Sequence, residues 1–164
     1  MIDRQTFIEA YDAYSDAIFR HCFYRVYDRE LAKDLMQNTF MKAWKSIEGG
    51  TEVEHLKAFL YKVANNLIVD HVRRKSSTSL EDLMEKGFDP SEEKGSSLGD
   101  QIDAKEAVKV LKDLKPKYRE VVLLRFIQDL SPPEISEILG IKENAVSVRL
   151  NRALKQLRNL LSND

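Results

Sequence analysis

The 164 residues carry 26 Lys and Arg against 27 Asp and Glu, a formal net charge of -1; a general nucleic-acid coating protein is excluded, and any DNA contact must be local. With 32% charged and 43% hydrophobic residues, and apolar positions recurring at helical spacing, the chain is not a disordered acidic tail, and its length admits one ordinary domain or two small helical ones. The lone Cys22 excludes an internal disulfide, and His21, His55 and His71 stand at no zinc-ligand spacing, so neither a metal nor a cofactor is expected.

The start, Met1 to Gln5, is polar, with no signal-peptide core and no apolar run long enough to span a bilayer, which predicts a cytoplasmic protein without membrane insertion. Phe7, Tyr11, Tyr14, Ile18 and Cys22 then recur every three or four positions and predict a long amphipathic helix from about Asp3 to about Tyr27. Asp28 caps a second helix, with Leu31, Leu35, Phe40, Ala43 and Ile47 on its apolar face and Glu30 near the positive end of its dipole; Gly49-Gly50 stops it. Leu56, Phe59, Leu60, Val63 and Leu67 mark a third helix, which runs to about Arg74 and ends in Arg73, Arg74 and Lys75. Three helices over residues 1–75 make a bundle.

From Ser76 to Gly99 the texture becomes Ser-, Gly- and acid-rich, the composition of a flexible acidic linker over 76–100. Ser79 and Asp82 resemble a capping box for a short helix around Leu80 to Met84. Helical spacing returns with Ala104, Val108, Leu111 and Leu114, and Pro116 opens a helix carrying Tyr118, Val121, Val122 and Phe126. The fold predicted is all-α: two small helical domains, the second spanning 101–164.

The run from Ser131 to Leu161 is the most informative. Ser131, Pro132 and Glu134 form an S-x-x-E capping box for a short helix with Ile135, Ile138 and Leu139 inward, and Gly140 ends it. A longer helix begins near Glu143. This is the spacing of a helix-turn-helix, whose second helix enters the major groove by its N-terminal end. Val146, Leu150, Ala153, Leu154 and Leu157 form its buried stripe, which leaves Asn144, Ser147, Val148, Asn151 and Arg152 to face a groove. Arg149, Lys155 and Arg158 suit phosphates, Asn151 suits adenine and Arg152 guanine. On spacing alone, a plain helical hairpin with a solvated basic face stays open.

Three segments in this order resemble the extracytoplasmic-function (ECF) group of bacterial sigma factors, and the likeness covers nearly the whole chain. Leu114 to Leu157, LKPKYREVVLLRFIQDLSPPEISEILGIKENAVSVRLNRALKQL, is similar to the domain that recognises the promoter's -35 element. DRELAKDLMQNTFMKAWKSI resembles the segment that docks on the polymerase clamp, and AFLYKVANNLIVDHVRRK the helix that recognises and melts the -10 element. The resemblance implies a subunit that binds core RNA polymerase and promoter DNA, is held by an anti-sigma factor and is not an enzyme. It places Asp34, Gln37, Asn38 and Met41 against polymerase, with Asn38 standing where a Glu is common. It places Asn66 in the pocket that reads a flipped base of the -10 element, although the loop Glu48 to His55 lacks the aromatic often found there; Lys62, Arg73 and Arg74 suit that strand's phosphates, while Arg73, Arg74 and Lys75 would equally satisfy a helix C-terminus without DNA. It assigns Asn144, Ser147, Val148, Arg149, Asn151, Arg152 and Lys155 to the -35 element; Ser147 and Val148 depart from the basic and polar residues of many relatives, which implies a weaker or different -35 sequence. The linker either threads the RNA channel as a nucleic-acid mimic or is a solvated tether.

Two other readings stay open at this level. A stand-alone helix-turn-helix regulator would bind DNA without polymerase, and a helical adaptor would bind protein alone. His21 and Cys22 are roughly 100° apart on a helix, a poor nucleophile pair, and no phosphate loop or paired catalytic carboxylates occur.

Overall fold

The first helix begins where a side chain replaces the missing helical acceptor: Asp3 Oδ1 accepts from the Thr6 amide at 2.7 Å, which also holds the Asp3 carboxyl below its usual pKa. The computed structural model describes residues 2–75 and 104–162, and α1 spans Arg4–Val26. It ends on Tyr27, a non-glycine residue in the left-handed region at φ 57°, whose amide donates to the Phe23 carbonyl. That reversal puts Asp28 in place to accept from the Leu31 amide at 3.1 Å and to cap α2, Arg29–Glu48. Gly50, at φ 101°, closes the second helix with a backbone angle that side chains resist. α3 covers Leu56–Arg74. The predicted bounds of these helices agree with the structure to within a residue or two.

α1, α2 and α3 pack on one another. At one end, Phe7 meets Trp44 at 5.0 Å and Phe40 edge-on at 6.0 Å, and Tyr11 meets Phe40 at 4.8 Å. Ile18, Ala32, Ala43, Leu60 and Ile68 are sealed in the middle. Thr39, buried on α2, donates its hydroxyl to the Leu35 carbonyl at 2.7 Å and is thereby satisfied. Tyr11, expected in the buried stripe, is 38% exposed and shields one edge of Phe40.

The second group of helices starts with α4, Ala104–Asp113, and α5, Pro116–Val122. Of the stripe predicted here, Leu111 and Leu114 are buried, while the side chains of 104–108 lie outside the described residues. Arg119 ties the two helices together: its guanidinium donates to the carbonyls of Leu111 at 2.7 Å, Lys112 at 2.9 Å and Leu114 at 3.1 Å, groups a helix C-terminus leaves without partners. After α5 the chain widens into a π-helical turn, Leu123–Ile127. This extra residue per turn moves Phe126 out of the apolar register in which the sequence places it. Phe126 is 51% exposed instead.

The capping box forms as expected. The Ser131 amide donates to Glu134 Oε1 at 2.9 Å and the Glu134 amide to Ser131 Oγ at 3.3 Å, starting α6, Pro132–Leu139. Gly140, at φ 70°, ends it in the left-handed region, and α7, Glu143–Ser162, follows. Ile135, Ile138, Val146, Leu150 and Ala153 face inward; Leu139, Leu154 and Leu157 are half-buried. The predicted linker over 76–100 and the short helix around Leu80 to Met84 lie outside the described residues.

The two helical groups touch. α6 lies against α3, and the π-helical turn against α1. Tyr61 on α3 donates its hydroxyl to Gln128 Oε1 at 2.6 Å. Arg25 on α1 donates to Asn65 Oδ1 at 3.0 Å, and Asn65 Nδ2 donates onward to Glu120 Oε1 on α5 at 3.3 Å.

Candidate nucleic-acid and partner interface

α2 is buried on one side and exposed on the other, where Lys33, Lys42 and Lys45 also stand in solvent. Its buried residues, Ala32, Leu35, Met36, Thr39, Phe40, Ala43 and Ile47, leave Asp34, Gln37, Asn38 and Met41 exposed. At about 100° per residue these four fall within roughly a quarter to a third of the helix circumference. Met41 is 63% exposed, so a flexible, polarisable apolar side chain stands among three polar ones. Such a surface can follow the contours of a protein partner.

On α3, Lys62, Asn66 and Arg73 are exposed and fall on one stripe by helical geometry. Val69, 37% exposed, lies on the same stripe and was missed by the sequence reading, because an apolar residue on an amphipathic helix is read as core. Arg74 sits to one side and pairs with Asp70 at 3.1 Å; the arginine is largely in solvent and the carboxylate about half so. A pair of that kind contributes little to stability and is readily exchanged for a phosphate. The neighbouring Asn65 is buried and engaged by Arg25 and Glu120, so of the two adjacent asparagines only Asn66 faces outward. The loop before α3 borders a cleft of about 380 Å³ lined by Ile2, Ile47, Gly50, Thr51, Glu52, Val53 and Glu54.

α7 carries the third face. Asn144, Ser147, Val148, Asn151, Arg152 and Lys155 are all exposed. Asn144, Ser147, Val148, Asn151 and Lys155 share a stripe, with Arg152 at its edge; Arg149, half-buried, lies well off it. Val148 is 45% exposed, an apolar group in a polar row, of the kind that meets a thymine methyl in a major groove. The left-handed Gly140 turns the chain between α6 and α7, and Asn144, Ser147 and Val148 on the N-terminal half of α7 stand exposed. The residues predicted for each face are thus brought together on that face, Arg74 and Arg149 excepted. The three faces belong to separate helices.

Two buried groups among the described residues are held in their neutral forms. Cys22 is buried, and burial pushes its thiol up to about 12, so it is no thiolate. His21 is buried beside it, held neutral with its pKa pushed down to about 3 by burial, with a further push from Arg25. Among the described residues no group of three or more His, Cys, Asp and Glu side chains is placed to hold a metal ion. No described helix is long and apolar enough to cross a membrane.

Two family models match the chain. Sigma-70 region 2 covers residues 10–78 and sigma-70 region 4 covers residues 105–157. The chain is 32% identical to the ECF RNA polymerase sigma factor SigM of Bacillus subtilis, over 97% of this chain and 99% of that one. It is 31% identical to the ECF RNA polymerase sigma factor BldN of Streptomyces coelicolor over 99% of this chain, and there it spans 62% of the relative's length. Its fold is like that of the sigma factor RpoE solved with the anti-sigma factor NepR from Bartonella quintana, with TM-score 0.75 and 23% identity over 96% of this chain and 98% of that one.

Proposed function

Since this chain belongs to the ECF group of the sigma-70 family, we propose that it binds core RNA polymerase and directs it to specific promoters, acting as a specificity subunit and not as a catalyst. The observation that carries this is the pairing of regions 2 and 4 in one chain, in the family's order. The exposed faces of α2, α3 and α7 suit the three tasks such a subunit performs.

In this reading residues 1–75 and 101–164 are the two working units. Asp34, Gln37, Asn38 and Met41 dock on polymerase. Asn66 reads an unstacked base of the -10 element while Lys62, Arg73 and Arg74 hold the strand's phosphates, since a base must leave the stack to be read and its backbone must be neutralised. Asn144, Ser147, Val148, Asn151 and Arg152 face the -35 element, with Lys155 and Arg149 on phosphates. The net charge of -1 keeps unassisted DNA affinity low, and tethering makes two weak contacts act as one stronger contact. Work beside polymerase puts the protein in the cytoplasm, and control by an anti-sigma factor follows from the same membership.

Run-off transcription tests this: purified protein, core RNA polymerase and fragments of the native genome, with no other initiation factor. Discrete transcripts are expected, and alignment of their start sites yields the -10 and -35 sequences. No transcripts, from a polymerase active with its housekeeping factor, would reject the proposal and favour a stand-alone DNA binder.

A further inference from the structure

We infer that Val148 is a specificity residue of the recognition face: it reads the C5 methyl group of one thymine in the -35 element, so that this base pair must be A·T. The inference deepens the promoter reading and rests on it. It starts from a side chain for which the free protein has little use. Val148 is 45% exposed, while Val146 and Leu150 on either side of it are the residues that α7 buries. A β-branched residue is also a poorer helix former than alanine or the straight-chain polar residues. Neither core packing nor helix formation accounts for a valine there.

Its place on the helix decides what it faces. At about 100° per residue, Asn144 and Asn151 stand roughly 40–60° to one side of Val148, Arg152 about 40° to the other, and Lys155 almost in line with it. All four are exposed, so the apolar residue is the centre of the face and not its margin. On a helix lying in the major groove, the centre of the outer face points at base edges, with the phosphates to either side. Asn151 and Arg152 lie about 4.5 and 6 Å further along the axis, and Asn144 about 6 Å back. Against a base-pair step of about 3.4 Å, these polar neighbours fall on other base pairs and leave Val148 alone with its own.

The chemistry of that contact selects one base. Valine offers no hydrogen bond, so against the major-groove edge of guanine, adenine or cytosine it would strip water from a donor or acceptor and return nothing. Thymine alone among the four bases presents a methyl group in that groove. Attraction to the methyl and the penalty against the other edges act in the same direction, which is how a short apolar side chain discriminates.

The test uses holoenzyme, assembled from core polymerase and the full chain, on a promoter that run-off transcription yields. Each thymine of the -35 element, on either strand, is replaced one at a time by deoxyuridine, which removes the methyl and keeps every hydrogen-bonding group. At one position uracil should raise the wild-type holoenzyme concentration needed for half-maximal output by roughly 4-fold, the equivalent of one buried methyl-sized group (about 0.8 kcal/mol). Val148→Ala, with helical content by circular dichroism unchanged, should need a higher concentration on the natural promoter and should not distinguish thymine from uracil at that position. Arg152→Ala should bind weakly yet retain the uracil effect, which separates loss of this contact from loss of affinity. A scan with no uracil effect at any position, or an effect undiminished in Val148→Ala, would overturn the assignment and leave promoter recognition standing. No transcripts from the wild type on any fragment would remove the promoter reading and the assignment with it.

Discussion

Replacing His21 by leucine is expected to stabilise the protein and to flatten part of its response to acid. The imidazole is fully buried, and neither nitrogen has a hydrogen-bond partner among the described residues. An unpaired buried polar group costs the folded state about 1–3 kcal/mol, a penalty that an apolar side chain of similar size removes. Burial first, and Arg25 second, lower the imidazole pKa from 6.5 to about 3. The unfolded chain therefore binds a proton that the folded chain refuses, and stability falls as pH falls from about 6.5 towards 3. From those two values, the loss between about pH 7.5 and pH 5 is about 2 kcal/mol. With a urea slope of about 2 kcal/mol/M, that is a drop of about 1 M in the midpoint. Urea unfolding followed by circular dichroism at both pH values measures it. Carboxylates titrate in both proteins and cancel in the difference, so His21→Leu should keep about 2 kcal/mol that the wild type loses. Equal pH dependence in the two proteins, or a variant that is the weaker one at pH 7.5, would refute the reasoning.

The remaining expectations concern single side chains. Cys22, with its thiol pushed up to about 12 by burial, should resist an aromatic disulfide reagent near pH 8 and react fully once urea unfolds the chain. Arg152→Ala, in holoenzyme on its own promoter, should cost about 1–3 kcal/mol and relax sequence preference at one -35 position, whereas Lys155→Ala should weaken all sequences alike and reduce the salt slope by about 1. Met41→Ala, at a position 63% exposed, should leave the unfolding free energy within about 0.5 kcal/mol of wild type. The same change should reduce co-purification with core polymerase; unchanged retention would remove Met41 from the docking face.

Several helix boundaries were legible because they rest on groups a few residues apart. Asp3 with Thr6, Asp28 with Leu31, and Ser131 with Glu134 are all i to i+3 pairs, and Gly140 supplies a left-handed turn by itself. The exposed faces of α2, α3 and α7 follow from those boundaries and the period of the apolar residues, so the candidate site could be drafted from the order of residues alone. Periodicity cannot say which of two adjacent asparagines turns inward. Asn65 is buried because Arg25, forty positions earlier, and Glu120, fifty-five later, meet at it. Phe126 left its expected face when the chain widened by one residue over Leu123–Ile127. Tyr61 found Gln128 across 67 positions, and no local pattern announces such a pair. Capping and amphipathicity act within one or two turns of helix and are written in neighbouring residues, whereas the contact between the two helical groups comes from matching surfaces that only the folded chain brings together.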